Sequence, residues 1–400
     1  SKGELKRIQI VSDVVNKKMK QTEAAEQLGV GKRQMIRLVK KYQQLGEAGL
    51  ISQHRGKASN RKHNEVFKES VKTLIFAQYA DFGPCFAGEK LRENHQKIVN
   101  KETLRQWMNE WGLWRIKSKK MKKLHQTRDR RPRLGELVQI DGSPHDWFEG
   151  RRAKCCLLVF IDDATSRLLG LRFVEAECSL GYFKLCQETI KKHGRPLAYY
   201  SDKWGGFRQN LPGKEEELTQ FGRLLEELDI ELICANSPEA KGRVERANQT
   251  LQDRLVKELR LRGINDIETA NAYLPEFMEA YNQKFSVEPL HQENAHRKEL
   301  PDENTQKLLF SFQTERVISK QLEVHYNNRL FQIQHLGEGY RLQHKKILVC
   351  ESINGEIYLL WNHQSLAFKE HHRLIKTPTV VDRKNIDHVF NTLQEKKQNI

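Results

Sequence analysis

The chain has 400 residues, enough for several cores, since domains commonly run about 100–150 residues. Sixty-nine Lys and Arg against 52 Asp and Glu give a net charge of +17, which favours a polyanionic partner, nucleic acid first. Seven cysteines without a C-x-x-C pair exclude a zinc ribbon and a disulfide framework and read as reduced core thiols. No run of eighteen apolar residues and no apolar leader occurs, so a cytoplasmic, nucleoid-associated protein with no membrane partner is expected.

Residues 1–55 carry a helix-turn-helix pattern: a helix near Leu5–Lys18, a second after Gln21 with Thr22 as its cap, a turn at Gly29, and a third helix from Gly31 to Tyr42. On that third helix Met35, Leu38, Val39 and Tyr42 share one face, leaving Lys32, Arg33, Arg37 and Lys40 outward, fit to enter a major groove. Residues 56–114 read as a second helical, helix-turn-helix-like unit. Phe67, Val71, Leu74 and Ile75 line its first helix, and Leu104, Trp107, Met108 and Trp111 its last, which Asn100 would cap. The aromatics read as core, and Arg105 as the groove candidate.

From 115 to 133 ten of nineteen residues are Lys or Arg, a basic linker. Lys119, Lys120, Lys122, Lys123, Arg130 and Arg131 could each displace a counterion from a phosphate backbone, so the segment reads as tracking DNA.

Residues 134–300 alternate as an α/β domain. Strands are expected at Leu137–Asp141, Lys154–Asp162, Arg167–Val174, Leu197–Ser201 and Glu231–Cys234. Helices are expected at 179–192, about 214–228 and about 238–262, the last capped by Ser237 and Pro238. The order β-β-β-α-β-α-β-α fits an RNase H-like fold. In that fold the first and fourth strands are neighbours and the last helix crosses them, so Asp141, Asp202 and Glu245 can converge. Val244, Ala247, Leu251, Leu255 and Leu259 form the helix's buried stripe, with Glu245, Asn248, Gln249 and Gln252 on a polar face. Three carboxylates suit Mg²⁺, which takes hard oxygen ligands, and a two-ion site suits in-line displacement at phosphorus. Asp162 and Asp163 are the rival acids, read as capping their turn with Thr165 and Ser166, while His145 and Asp146 could support the site from beside it.

The segments LVQIDGSPHDWF, LLVFIDDATSR, YYSDKWGGF and NSPEAKGRVERANQTLQDRL together resemble the DDE integrase core of ISNCY-type bacterial insertion-sequence transposases, relatives of retroviral integrase. The resemblance covers nearly the whole chain. It implies metal binding and catalysis by Asp141, Asp202 and Glu245, two Mg²⁺ ions that Mn²⁺ can replace, and DNA-backbone contact by Lys241, Arg243 and Arg246. Trp204 stands where the family often carries His. The implied partners are the double-stranded terminal inverted repeats of the element, target DNA, and further copies of the chain in a dimer or larger assembly. A catalytically silent DNA-binding regulator and a structure-selective nuclease are the competing readings.

Beyond the core, Asp266–Asn282 reads as a helix. From Glu315 to Phe368 two hairpins, turned at Asn327-Asn328 and Asn354-Gly355, suggest a small β-barrel within 310–370, followed by a polar tail at 371–400.

Overall fold

The computed structural model describes residues 2–51, 63–115, 129–209, 217–234, 242–334 and 339–371. The expected tail beyond His371, the Ser237-Pro238 cap, and Lys119, Lys120, Lys122, Lys123 and Lys241 lie outside these residues. The chain forms two compact units, 1–121 and 122–400.

The first unit begins with α1 (Lys2–Val15), α2 (Gln21–Leu28) and α3 (Lys32–Leu45) around Ile10, Val11, Val14, Ala24, Ala25, Met35, Leu38 and Val39. Gly29 ends α2 at φ +60°, a left-handed conformation that glycine adopts without Cβ strain. Thr22 does not cap α2. The helix starts two residues earlier, with Lys20 at the cap position, and Glu23 reaches back to the Lys20 N–H at 3.4 Å, satisfying a backbone donor from the third helical position instead. The second set is α4 (Glu65–Gln78), α5 (Pro84–His95) and α6 (Lys101–Glu110). Asn100 Oδ1 accepts the Glu102 N–H at 2.9 Å, capping α6 as expected, and Leu104, Trp107 and Met108 are buried.

The second unit is built on a five-stranded sheet: β1 (Leu137–His145), β2 (Cys155–Asp162), β3 (Leu168–Val174), β4 (Ala198–Ser201) and β5 (Glu231–Cys234), in the order β3-β2-β1-β4-β5. β1 to β3 run antiparallel, and β4 and β5 pair parallel. Every residue of β2 is buried, and its two-residue period divides the interior. Leu157, Val159 and Ile161 meet α9 (Gly242–Leu261) and α10 (Ile267–Phe285). Leu158 and Phe160 meet α7 (Ser179–His193) and α8 (Gln220–Glu227). α8 starts later than its sequence suggests because Thr219 Oγ1 caps it, accepting the Gly222 N–H at 3.0 Å.

Two further expectations are corrected. β1 does not end at Asp141 but pairs with β2 through His145, because the antiparallel ladder outlasts the parallel one with β4. The cysteines are free, yet Cys85 and Cys178 are exposed rather than core residues. Cys85 lies in the first turn of α5 and Cys178 just ahead of α7, both facing solvent.

After α11 (Glu303–Leu309) come β6 (Ser311–Val317), β7 (Glu323–Tyr326), β8 (Arg329–Ile333), β9 (Lys346–Ser352), β10 (Ile357–Trp361), β11 (Gln364–Leu366) and β12 (Phe368–His371). Among the described residues they form two separate sheets, β11-β10-β9-β6 and β12-β8-β7, rather than the one closed barrel expected, packed about a core that includes Ile318, Val324, Phe331, Val349 and Leu359. Both hairpins are where the sequence puts them, with Asn327 and Asn328 at φ +47° and +58° as a tight two-residue turn needs. This module is packed on the core. Phe312 stacks on Phe183 at 4.9 Å, and Gln220 bonds both the N–H and the C=O of Gln313.

Candidate active site

The β1–β4 register pairs Leu137 with Ala198, Val138 with Tyr199 and Gln139 with Tyr200, an offset of 198 − 137 = 61. The paired strands lie about 4.8 Å apart, and carried two residues further, past the end of β4, the same offset would bring Asp202 level with Asp141. There β4 has ended, so Asp141 lies on a continuing strand just where its parallel neighbour leaves.

Gln139, Asp141 and Ser143 alternate onto the α9 side of β1, and α9 is bonded along that row. The Val244 N–H donates to Gln139 Oε1 at 3.1 Å, Asn248 Nδ2 to Asp141 Oδ2 at 2.8 Å, and Gln252 Nε2 to Ser143 Oγ at 3.1 Å. Four residues of helix rise ~6.0 Å and two of strand ~6.6 Å, so i+4 on α9 keeps step with i+2 on β1. The helix therefore runs alongside the strand, in the same direction. Glu245 follows the first of these contacts and is exposed, as is Asp202, while Asp141 is half-buried.

The three carboxylates are not gathered: among the described residues no group of three or more His, Cys, Asp or Glu is arranged to hold a metal ion. Asp202 is drawn into its own loop, where Oδ1 accepts the Trp204 N–H at 3.0 Å. The Trp204 ring packs against Tyr182 and Phe207 and covers Gly206, so it anchors the loop after β4.

Sequence reasoning missed several neighbours. Asn248 was legible only as polar, yet it holds Asp141, and its own Oδ1 is buried with no partner. The Glu177 carboxylate covers Gly142 so closely that an added Cβ would come within 2.7 Å of it, and it accepts a 2.6 Å bond from the Tyr182 hydroxyl. No local pattern marks Glu177, which reaches β1 from the segment just before α7.

Asp162 caps its turn as expected, accepting Thr165 N–H at 2.8 Å and Thr165 Oγ1 at 2.6 Å, and it also takes the Gly135 N–H. Burial pushes its carboxyl above the usual range, with these hydrogen bonds opposing. Asp163 has another role. Fully buried, it accepts Gln139 Nε2 at 2.8 Å, Arg243 Nε at 2.9 Å and the Arg131 N–H at 2.9 Å. Asp146 accepts the Gly150 N–H, and His145 lies edge-on to Trp147.

The expected DNA-facing cations divide. Lys32, Arg33, Arg37, Lys40 and Arg246 are exposed. Arg243 turns inward instead, because a desolvated carboxylate demands a cation. Arg105 is held by both oxygens of Glu102, its i−3 neighbour on α6. Arg130 bonds Ala164 O and Ser166 Oγ; burial first, then Arg243 and Arg246, lower its pKa against the pull of Asp163 and Asp162.

Over 402 aligned residues the chain is 38% identical to y4bF of Sinorhizobium fredii (strain NBRC 101917 / NGR234), named as a transposase, covering 99% of this chain and 88% of that one. The chain belongs to this transposase family. The transposase for insertion sequence IS1202 of Streptococcus pneumoniae is 27% identical, across 89% of this chain and 84% of its own length. Residues 6–58 of this family member match a helix-turn-helix domain. Among solved structures, the transposase chain is similar to the HTLV-2 integrase catalytic core domain in complex with magnesium (TM-score 0.29, 20% identity, 38% of this chain and 91% of that one). It is also similar to a chain of the simian T-cell lymphotropic virus intasome in complex with PP2A regulatory subunit B56 gamma (TM-score 0.32, 13% identity, 75% and 95%). No described helix is long and apolar enough to cross a membrane.

Proposed function

We propose that the protein cleaves and joins DNA at the ends of an insertion sequence, using Asp141, Asp202 and Glu245. The observation that carries this reading is the offset of 61 between β1 and β4, which equals the separation of Asp141 and Asp202 and, extended past the end of β4, would bring the two acids level. The bonds that run α9 along β1 support Glu245 as the third.

The donor set fits divalent magnesium or manganese, since it offers hard carboxylate oxygens beside the buried, unpartnered Oδ1 of Asn248. Like-charged side chains repel until a cation draws them in, and both Asp202 and Glu245 are exposed to solvent. Bound there, two divalent ions would stabilise charge on the attacking and leaving oxygens of an in-line displacement. The chain's own part is to hold Asp141 still through Asn248 and to carry Glu245 on a helix fixed to the same strand. In the first reaction water attacks a phosphorus at the element's end and the bond to the 3′ oxygen breaks, leaving a 3′-OH. In the second that hydroxyl attacks a target phosphodiester, forming one P–O bond as another breaks.

The helix-turn-helix presents Lys32, Arg33, Arg37 and Lys40 to the terminal repeats, and joining two ends requires an assembly of at least two copies on DNA. The test incubates the purified protein with labelled end DNA, target DNA and Mg²⁺. Asp141→Asn, Asp202→Asn and Glu245→Gln should each abolish cleavage and joining while gel-shift binding persists. Cleavage that survives all three sinks the reading; cleavage of branched DNA without joining marks a nuclease.

A further inference from the structure

We infer that Gln139 and Asp163 are positioning residues that fix the start of α9, and with it Glu245; this rests on the function proposed above. Both side chains are fully buried, and neither is among the three acids assigned to the reaction.

The first N–H groups of a helix have no partner inside it. In α9 the Val244 N–H is satisfied by a side chain from another element, Gln139 of β1, two positions before Asp141. A glutamine amide can present either end, and Asp163 decides which. An ionised carboxylate only accepts hydrogen bonds, so the Gln139 NH₂ must face Asp163 and its carbonyl must face Val244. The same Asp163 oxygen accepts Arg243 Nε, from the residue preceding Val244. The contacts close a ring: Asp163 to Gln139, Gln139 to the Val244 backbone, Val244 to Arg243, and Arg243 back to Asp163.

Turn-capping alone would not need this ring. Asp162 already caps the turn with Thr165, whereas the side chain of Asp163 faces Gln139, Arg243 and the Arg131 N–H. A buried ion pair is weak evidence for added stability, since desolvation offsets the attraction. Fixing one geometry is what such a pair does well here. The start of α9 is pinned in depth by Gln139 and in rotation by Arg243, which determines where the Glu245 carboxylate emerges. A displacement of about 1 Å in a reacting group can cost on the order of 100-fold in rate.

The experiment uses the full chain with end DNA and compares Gln139→Met, Gln139→Glu, Asp163→Asn and the double variant Gln139→Glu/Asp163→Asn, with Asp141→Asn as control. Gln139→Met keeps the volume and removes both bonds. Its single-turnover cleavage rate should fall at least about tenfold with end-DNA affinity unchanged, and hydrogen exchange of the Val244 amide should quicken while later amides of α9 keep their protection. Gln139→Glu sets two carboxylates together and should lose activity. The double variant restores one negative charge for Arg243 and an acceptor for Val244, and should recover most of the rate. Unchanged cleavage and unchanged Val244 exchange in Gln139→Met overturn the inference, as does a double variant no better than Gln139→Glu. If Gln139→Met does not fold, the double variant decides. Cleavage by Asp141→Asn would fail the functional reading instead, and Val244 exchange would still judge the ring.

Discussion

Asn248 donates its amide hydrogen to Asp141 Oδ2 at 2.8 Å across 107 residues of chain, while its own carbonyl oxygen is buried and unpartnered. Half-buried between α9 and β1, it restricts the rotamers of Asp141 without touching its backbone. Asn248→Ala should slow cleavage by roughly 10–100-fold, the usual cost of losing a group that orients a metal ligand. Binding of end DNA should be unchanged. A variant that cleaves at the parent rate would show that Asp141 needs no such support.

Gly135 is where three segments meet. Its N–H donates to Asp162 Oδ1, its C=O accepts the Leu197 N–H, and a Cβ there would lie 2.2 Å from His296 Nδ1. Its φ of +81° adds strain for any L side chain. Gly135→Ala should destabilise the catalytic unit by about 2–4 kcal/mol, the sum of overpacking and backbone strain. Urea unfolding measures this, and a loss below 0.5 kcal/mol would mean that the His296 ring moves aside freely.

His296 also predicts a pH dependence. Burial, then nearby His193, pushes its pKa down to about 4, against an ordinary value near 6.5. In this window the unfolded chain binds a proton that the folded chain does not, so stability is full above pH 6.5, falls as pH drops toward 4, and levels off below. The contribution is at most about 3 kcal/mol. His296→Gln should flatten that part of the stability profile relative to the parent, and parallel profiles would refute it.

The basic residues of the first unit should behave unequally. Removing Arg33 or Arg37, both exposed on α3, should weaken binding to end DNA and reduce the slope of log K against log salt by about 1 each, as for a lost phosphate contact. Arg105→Ala should change the slope little, because Glu102 already neutralises that guanidinium with two hydrogen bonds. Salt-dependent gel shifts distinguish these, and equal slopes for Arg37→Ala and Arg105→Ala would contradict the division.

Local periodicity was sufficient for most helices and strands of the first 285 residues, for the stripe on α3 and for the two Asn-containing turns, since each depends on side chains a few residues apart, but it did not anticipate α11, β6, β11 or β12. The order of those elements also anticipated the neighbouring β1 and β4, and the 61-residue separation of Asp141 and Asp202 recurs as the register of that pair. The sequence by itself thus determined most of the parts and their order. Only the tertiary structure decided that Asp141 lies within a longer strand, that Arg243 turns inward to Asp163, that Asn248 holds Asp141, and that Gln139 caps a helix from another element. Those contacts span from 80 to 107 residues in the last three cases. Their partners are fixed by burial, which leaves a polar group only the donors and acceptors within reach, and no short-range repeat in the chain carries that information.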